Sequence, residues 1–217
     1  MSVTFESGLL RAYFVAGSQD VPGQDLRKVL ATMLDAGITA FQFRDKGDSE
    51  LTDEQRLALG SDLRVQCHEA NVPFIVDDDV DLALLLNADG IHVGQSDQKI
   101  QSVIQTVADR DMFVGLSCNT AEQVAAANKL RGIDYIGSGP IYPTVSKDDA
   151  DPAMGIAGLQ ALVEQANVPI VAIGGVTVAS LPAIAKTGAA GVAVITLLTR
   201  SSDPVADTQA MRHAFAK

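Results

Sequence analysis

Short apolar runs alternate with amphipathic stretches from one end of the chain to the other. Eight apolar runs stand out, at 12–16, 40–43, 73–76, 90–93, 112–116, 135–137, 169–173 and 191–195. Several are rich in β-branched residues and bounded by Gly, Pro or Asp, as strands buried on both faces are. Between them, apolar residues recur at helical spacing. Leu26, Val29, Leu30, Met33 and Leu34 share one face, and Leu57, Leu63 and Cys67 another. Val124, Ala127 and Leu130 form a third stripe, Leu159, Leu162 and Val163 a fourth, and Leu181, Ile184 and Ala185 a fifth. Eight strands alternating with helices predict parallel βαβ units, and we expect a single TIM-type (β/α)8 barrel spanning residues 1–217. An open, doubly wound sheet is the other arrangement of the same units. No linker or low-complexity segment interrupts the pattern, so no domain boundary is placed.

In a barrel of this kind the reactive groups sit at the C-terminal ends of the strands. Polar residues collect at those positions here. Arg44-Asp45-Lys46 follows the second run, Asp77-Asp78-Asp79 the third, Gly94-Gln95-Ser96-Asp97 the fourth and Ser117 the fifth. A long loop, 140–155, follows the sixth and carries Thr144, Ser146 and Lys147; Gly174-Gly175 follows the seventh and Thr196 the eighth.

Composition narrows the function class. Hydrophobic residues make up 47% of the chain and charged residues 20%, ordinary for a globular protein with a real core. No apolar stretch approaches the ~20 residues of a membrane span. The N-terminus has no basic cluster before an apolar run and does not read as a secretory signal. The two cysteines, Cys67 and Cys118, make neither a disulfide framework nor a metal site. These features lead us to expect a cytoplasmic protein. The net charge of −11 disfavours nucleic-acid and anionic-membrane partners. An anionic substrate would therefore have to find its positive contacts at a few concentrated points.

Three such points exist. Arg44 and Lys46 lie two residues apart as a strand ends, so they point the same way. Arg offers phosphate a planar fork and Lys a compact charge. Lys147 is the third cation. Each alone reads as a solvated surface group; their convergence on one rim suggests a diphosphate. Asp78 and Asp97 end adjacent strands and could share a Mg²⁺ ion bound through phosphate. Taken alone, acidic loop residues more often cap helices, as Asp79 and Asp81 could. Gly174-Gly175, between a strand and a helix expected near Thr177, lets backbone N–H groups approach a second phosphate, with Ile195 and Thr196 as the other wall. Nucleophilic catalysis finds little support. His68 and His213 read as surface residues, and His92 points either into the barrel mouth or into the core. Cys118 has no positioned base. A site rich in phosphate and metal ligands and poor in bases favours chemistry driven by a departing diphosphate.

These residues resemble the thiamine-phosphate synthase family. The likeness is carried by 42–46 (QFRDK), 77–83 (DDDVDLA), 88–97 (ADGIHVGQSD), 137–144 (GSGPIYPT) and 172–176 (AIGGV), in order across essentially the whole chain. The resemblance implies that hydroxymethylpyrimidine diphosphate is joined to thiazole phosphate, releasing diphosphate. It implies a substrate surface of Gln42, Phe43, Arg44, Asp45, Lys46, Asp77, Ser117 and Lys147 for the pyrimidine diphosphate. Thr144, Val145, Ser146, Gly175, Ile195 and Thr196 would bind the thiazole phosphate. Asp78 and Asp97 would hold Mg²⁺, and Lys46, Ser117 and Lys147 would act on the departing group. The implied route is dissociative: diphosphate leaves, and the thiazole nitrogen captures a pyrimidine-methyl cation.

Two positions depart from the pattern. Asp77 stands where the family usually has Asn, and we expect it to be an additional metal partner. Asn119 stands where a His is common. That bears on the nearest alternative, a thiazole tautomerase on the same barrel, whose proton transfer would need a base in the fifth loop. Arg44 and Lys46 serve no purpose in a tautomerase. A non-catalytic phosphate-ligand sensor is the alternative outside enzymes. The 140–155 loop, with Lys147, Asp148, Asp149 and Asp151, is expected to act as a lid that orders on substrate binding. Oligomeric state is not legible, although an apolar patch on the helical ring would serve a homodimer.

Overall fold

Side chains alternate across a strand, so each of the eight runs can serve two layers at once. A computed structural model, which describes residues 3–95, 99–144 and 152–216, realises this. The strands are β1 (Ala12–Ala16), β2 (Ala40–Phe43), β3 (Phe74–Asp77), β4 (Gly90–Val93), β5 (Phe113–Ser117), β6 (Tyr135–Ser138), β7 (Ile170–Ile173) and β8 (Gly191–Val194). All pair in parallel in sequence order, and β8 returns to β1 to close the barrel. Closure excludes the open doubly wound sheet.

Helices surround the strands: α1 (Leu26–Ala36), α2 (Asp53–Glu69), α3 (Val80–Leu85), α4 (Ile100–Val107), α5 (Ala121–Ala127), α6 (Gly155–Gln165), α7 (Leu181–Lys186), α8 (Thr196–Thr199) and α9 (Pro204–Ala214). Their starts are chemically marked. Asp25 accepts a hydrogen bond from the Arg27 N–H, Asp79 from the Leu82 N–H and Asp203 from the Ala206 N–H. Thr52 and Thr120 form capping boxes with Gln55 and Gln123. The helix expected near Thr177 begins as a 3-10 turn, Val178–Ser180, before α7. No described helix is long and apolar enough to cross a membrane.

The core splits by residue parity. Phe14, Phe41, Phe74, Ile91, Val114, Ile136, Ala172 and Val192 face outward into the layer beneath the helices. Tyr13, Val15, Ile75, Phe113, Tyr135, Val171 and Ala193 face inward and fill the barrel. Phe74 sits between Phe41 and Phe43, with ring centroids 6.0 and 6.2 Å away. Below, Leu10 is buried in the inner cluster and Phe5 stacks on Tyr135 at 5.8 Å, which closes the floor. The upper interior stays open because β5 and β6 place Gly115 and Gly137 there. A Cβ on Gly115 would lie 2.2 Å from Tyr135 Cζ and 2.4 Å from His92 Nδ1.

Candidate active site

A cavity of about 410 Å³ opens at the C-terminal ends of the strands. Gln42, Arg44, Lys46, Asp77, Asp78 and Ser117 line it, as do Thr144, Gly175, Ile195 and Thr196. Residues expected from sequence at ten separate positions thus meet around one space.

Two residues of the expected substrate surface, Phe43 and Asp45, are not among those that line the cavity. Gln42, Arg44 and Lys46 share inward parity, so the residues between them must face away. Phe43 is buried in the outer layer against Phe74. Asp45, also buried, accepts hydrogen bonds from the Ser18 N–H at 2.7 Å, the Ser18 hydroxyl at 2.5 Å and the Ser49 hydroxyl at 2.7 Å. It pins the β1 and β2 loops together. Asp97, Val145, Ser146 and Lys147, and residues 145–151 of the expected lid, lie outside the described residues.

The positive edge of the cavity is neutralised from within. Asp77 Oδ2 lies 3.4 Å from Arg44 Nε and 3.0 Å from Lys46 Nζ, and Lys46 also pairs with Asp78. Burial pushes the Asp77 carboxyl up to about 6, helped by the charge of Asp78 and resisted by Lys46 and Arg44. Burial works against the Lys46 ammonium, but Asp77 and Asp78 outweigh it and hold the group above its ordinary value. Asp78 adopts a left-handed backbone, φ 61°, at a cost of about 1–3 kcal/mol. Its N–H donates to the His92 carbonyl at 2.8 Å and its Oδ1 accepts from the Gly94 N–H at 3.3 Å. The strained turn fixes that carboxylate on the rim between β3 and β4.

A different edge is built from backbone. Gly174 (φ 92°) and Gly175 (φ 66°) run left-handed after β7. A Cβ on Gly175 would come 2.7 Å from both the Tyr142 Cβ and the Tyr142 carbonyl oxygen, so only glycine fits. Ile195 and Thr196 face the same space from the junction of β8 and α8.

Sequence reasoning left His92 between mouth and core; it points inward and lines the cavity. Its Nε2 is 3.0 Å from Ser117 Oγ and its Nδ1 is 3.0 Å from Tyr135 Oη. Tyr13, Tyr135 and Gln123 were missed. The signal for the two tyrosines was their inward parity in β1 and β6, where an apolar barrel has no use for a hydroxyl. Gln95 donates to the Ser117 carbonyl at 2.6 Å. Asn119 accepts from the Gly139 N–H at 3.2 Å, and its own N–H donates to Gln123 Oε1 at 2.6 Å. The fifth loop therefore offers an amide where a tautomerase would need a base. Cys118, fully buried with its thiol pushed up to about 11 by burial, is a poor nucleophile.

Residues 12–198 match the family model described as thiamine monophosphate synthase. The chain is 77% identical over 217 residues to the thiamine-phosphate synthase of Levilactobacillus brevis, covering 100% of both chains. It is 64% identical to that of Lactiplantibacillus plantarum, with 97% of each covered. Among solved structures it is similar to the thiamine phosphate pyrophosphorylase of Pyrococcus furiosus, at 29% identity and a TM-score of 0.83, covering 97% of this chain and 98% of that one. A 3-hexulose-6-phosphate synthase, at 20% identity and TM-score 0.67, shares the fold.

Proposed function

Because the chain belongs to the thiamine monophosphate synthase family and is a transferase that forms thiamine phosphate, we propose that its barrel mouth holds the two precursors side by side. The hydroxymethylpyrimidine diphosphate lies against Gln42, Arg44, Lys46 and Ser117. The thiazole phosphate lies against Thr144, Gly175, Ile195 and Thr196. The observation that carries this reading is one cavity with two kinds of anion-binding wall, the cation pair beyond β2 and the left-handed glycines beyond β7.

The donor set suits Mg²⁺. Asp77 and Asp78 are hard oxygen ligands at the cavity edge, and Asp77 Oδ2 is buried without a hydrogen bond of good geometry. Such an ion is commonly held in large part by phosphate oxygens and water. Asp78, with Asp97, would hold it, and the ion would screen the charge of the leaving diphosphate. Asp77, already engaged by Arg44 and Lys46, is better read as the counter-charge that keeps both cations aimed inward until a diphosphate replaces it.

In the reaction the methylene–oxygen bond breaks and its electron pair departs with diphosphate. Arg44, Lys46 and the Ser117 hydroxyl stabilise the developing charge. The thiazole ring nitrogen, held close by the second wall, then donates its pair to the methylene carbon. The chain contributes positioning and charge stabilisation.

The test mixes protein, both precursors and Mg²⁺, and follows thiamine phosphate after oxidation to its fluorescent thiochrome. We expect product with metal and none with EDTA, and Asp78→Asn to need more Mg²⁺ for half-maximal rate. Product formed equally well in EDTA would overturn the metal reading. No product from folded, substrate-binding protein would overturn the reaction.

A further inference from the structure

A line of hydrogen bonds crosses the barrel interior along the wall of the cavity. Gln42 Nε2 donates to Tyr13 Oη at 2.8 Å, and Tyr13 Oη lies 2.9 Å from Tyr135 Oη. Tyr135 Oη is 3.0 Å from His92 Nδ1, and His92 Nε2 is 3.0 Å from Ser117 Oγ. The line joins β2, β1, β6, β4 and β5, so it depends on closure of the barrel. Gln42, Tyr13 and Tyr135 are 5%, 1% and 0% exposed, so a group of the line that lost its partner would be left buried.

The direction of the line follows from the first donor. An amide NH₂ can only give a hydrogen, so Tyr13 Oη accepts from Gln42. The hydroxyl hydrogen of Tyr13 must then go to Tyr135. If Tyr135 gave its hydrogen to Tyr13 instead, the Tyr13 hydrogen would be buried among donors, a cost of about 1–3 kcal/mol. Tyr135, having accepted from Tyr13, passes its own hydrogen to His92 Nδ1. Burial pushes both phenols well above their ordinary values, so both keep their hydrogens.

We infer that Tyr135, with Tyr13 and Gln42 behind it, is a positioning residue that gives the His92 ring, in its neutral form, a hydrogen on Nε2 rather than Nδ1, and thereby turns the Ser117 hydroxyl hydrogen into the cavity. His92 Nε2–H occupies a lone pair of Ser117 Oγ, so the serine faces an incoming anion as a donor. With the opposite tautomer, Ser117 would give its hydrogen to His92 and present only lone pairs to the diphosphate. The consequence for Ser117 rests on the proposed seat of the diphosphate beside it; the tautomer does not.

The chain has three histidines, so ring-¹⁵N-labelled protein gives a simple spectrum. At a pH where the rings are neutral and with no substrate present, His92 should show a hydrogen-bearing Nε2 and a bare, acceptor Nδ1. Gln42→Glu replaces the amide with a carboxylate that only accepts. It should reverse every step and move the hydrogen to Nδ1. Tyr13→Phe, which cuts the line without reversing it, should give averaged tautomers and serves if Gln42→Glu does not fold. A wild-type ring with its hydrogen on Nδ1, or a ring unchanged in every folded variant of the line, would overturn the inference. Kinetics test the coupling separately. Ser117→Ala should lower kcat about a hundredfold, and Tyr135→Phe within about tenfold. The double variant should be no slower than Ser117→Ala alone, because Tyr135 acts through Ser117; multiplicative losses would overturn that coupling. Wild-type turnover in the same assay tests the reaction itself, so a wrong function and a wrong tautomer give different results.

Discussion

Gly115 offers a direct test of how tightly the barrel interior is built. Replacing it with Ala puts a methyl group 2.2 Å from Tyr135 Cζ, 2.4 Å from His92 Nδ1 and 2.5 Å from Tyr135 Cε1. Carbon atoms pack at about 3.5–4.0 Å, so one or both rings must move by more than an ångström. Their hydrogen bond, 3.0 Å long, cannot survive that. Overpacking a core costs about 1–3 kcal/mol, and leaving a buried donor or acceptor without a partner costs about another 1–3 kcal/mol. Ala narrows the unfolded ensemble relative to Gly and returns about 0.4–1 kcal/mol. The net expectation is a loss of about 1–6 kcal/mol. For a chain of this size that is about 2–24 °C in Tm. Urea unfolding followed by circular dichroism should show a lower midpoint at an unchanged slope, and activity should fall with it. Gly23→Ala, at a site with nothing within 4 Å but a φ of 75°, controls for backbone strain alone. A Gly115→Ala protein as stable as wild type, with full activity, would refute the tight packing of His92 against Tyr135.

Other outcomes follow from the same geometry. The Asp77 carboxyl is displaced from its ordinary 3.8 to about 6 in the folded protein. A raised folded pKa means the native state holds its proton more tightly, so this group stabilises below about pH 4 and that contribution is lost as pH rises through about 6, to a ceiling of about 3 kcal/mol. Asp77→Asn should flatten that part of the stability curve, and in the thiochrome assay should lower KM for the pyrimidine diphosphate; an unchanged curve would sink the reading of a buried, charged Asp77. Lys46→Ala should raise the same KM at least tenfold with little effect on KM for the thiazole phosphate; equal effects on both would place the diphosphate elsewhere. Phe74→Ala, between Phe41 and Phe43 in the outer layer, should cost about 3–5 kcal/mol in chemical denaturation while leaving KM values nearly unchanged in the protein that remains folded.

Much of this molecule can be read without its structure. Eight apolar runs separated by helical stripes determine a (β/α)8 pattern, because a strand covered on both faces must be apolar throughout while a helix need be so on one side only. Polar residues at the ends of those runs mark the rim, since that is where inward-facing positions leave the packed interior. Arg44 and Lys46 were legible as a pair from their spacing alone. The same spacing, applied one residue at a time, turns the Phe43 and Asp45 side chains away from the cavity; motif likeness does not separate them from their neighbours because it recognises a string and not a face.

Other features exist only once the barrel closes. Tyr13 and Tyr135 are 122 residues apart and meet hydroxyl to hydroxyl because β1 and β6 share one interior. His92 could have faced core or mouth, and the empty positions at Gly115 and Gly137 on neighbouring strands decide for the mouth. Asp77 reads in sequence as one more acid near a metal, and only the structure shows it paired with Arg44 and Lys46. Local sequence determines which residues alternate, cap and turn, because those are interactions of near neighbours. Which polar groups find one another across the barrel is settled by strand register and closure, because a buried donor must take whatever acceptor the opposite strand provides.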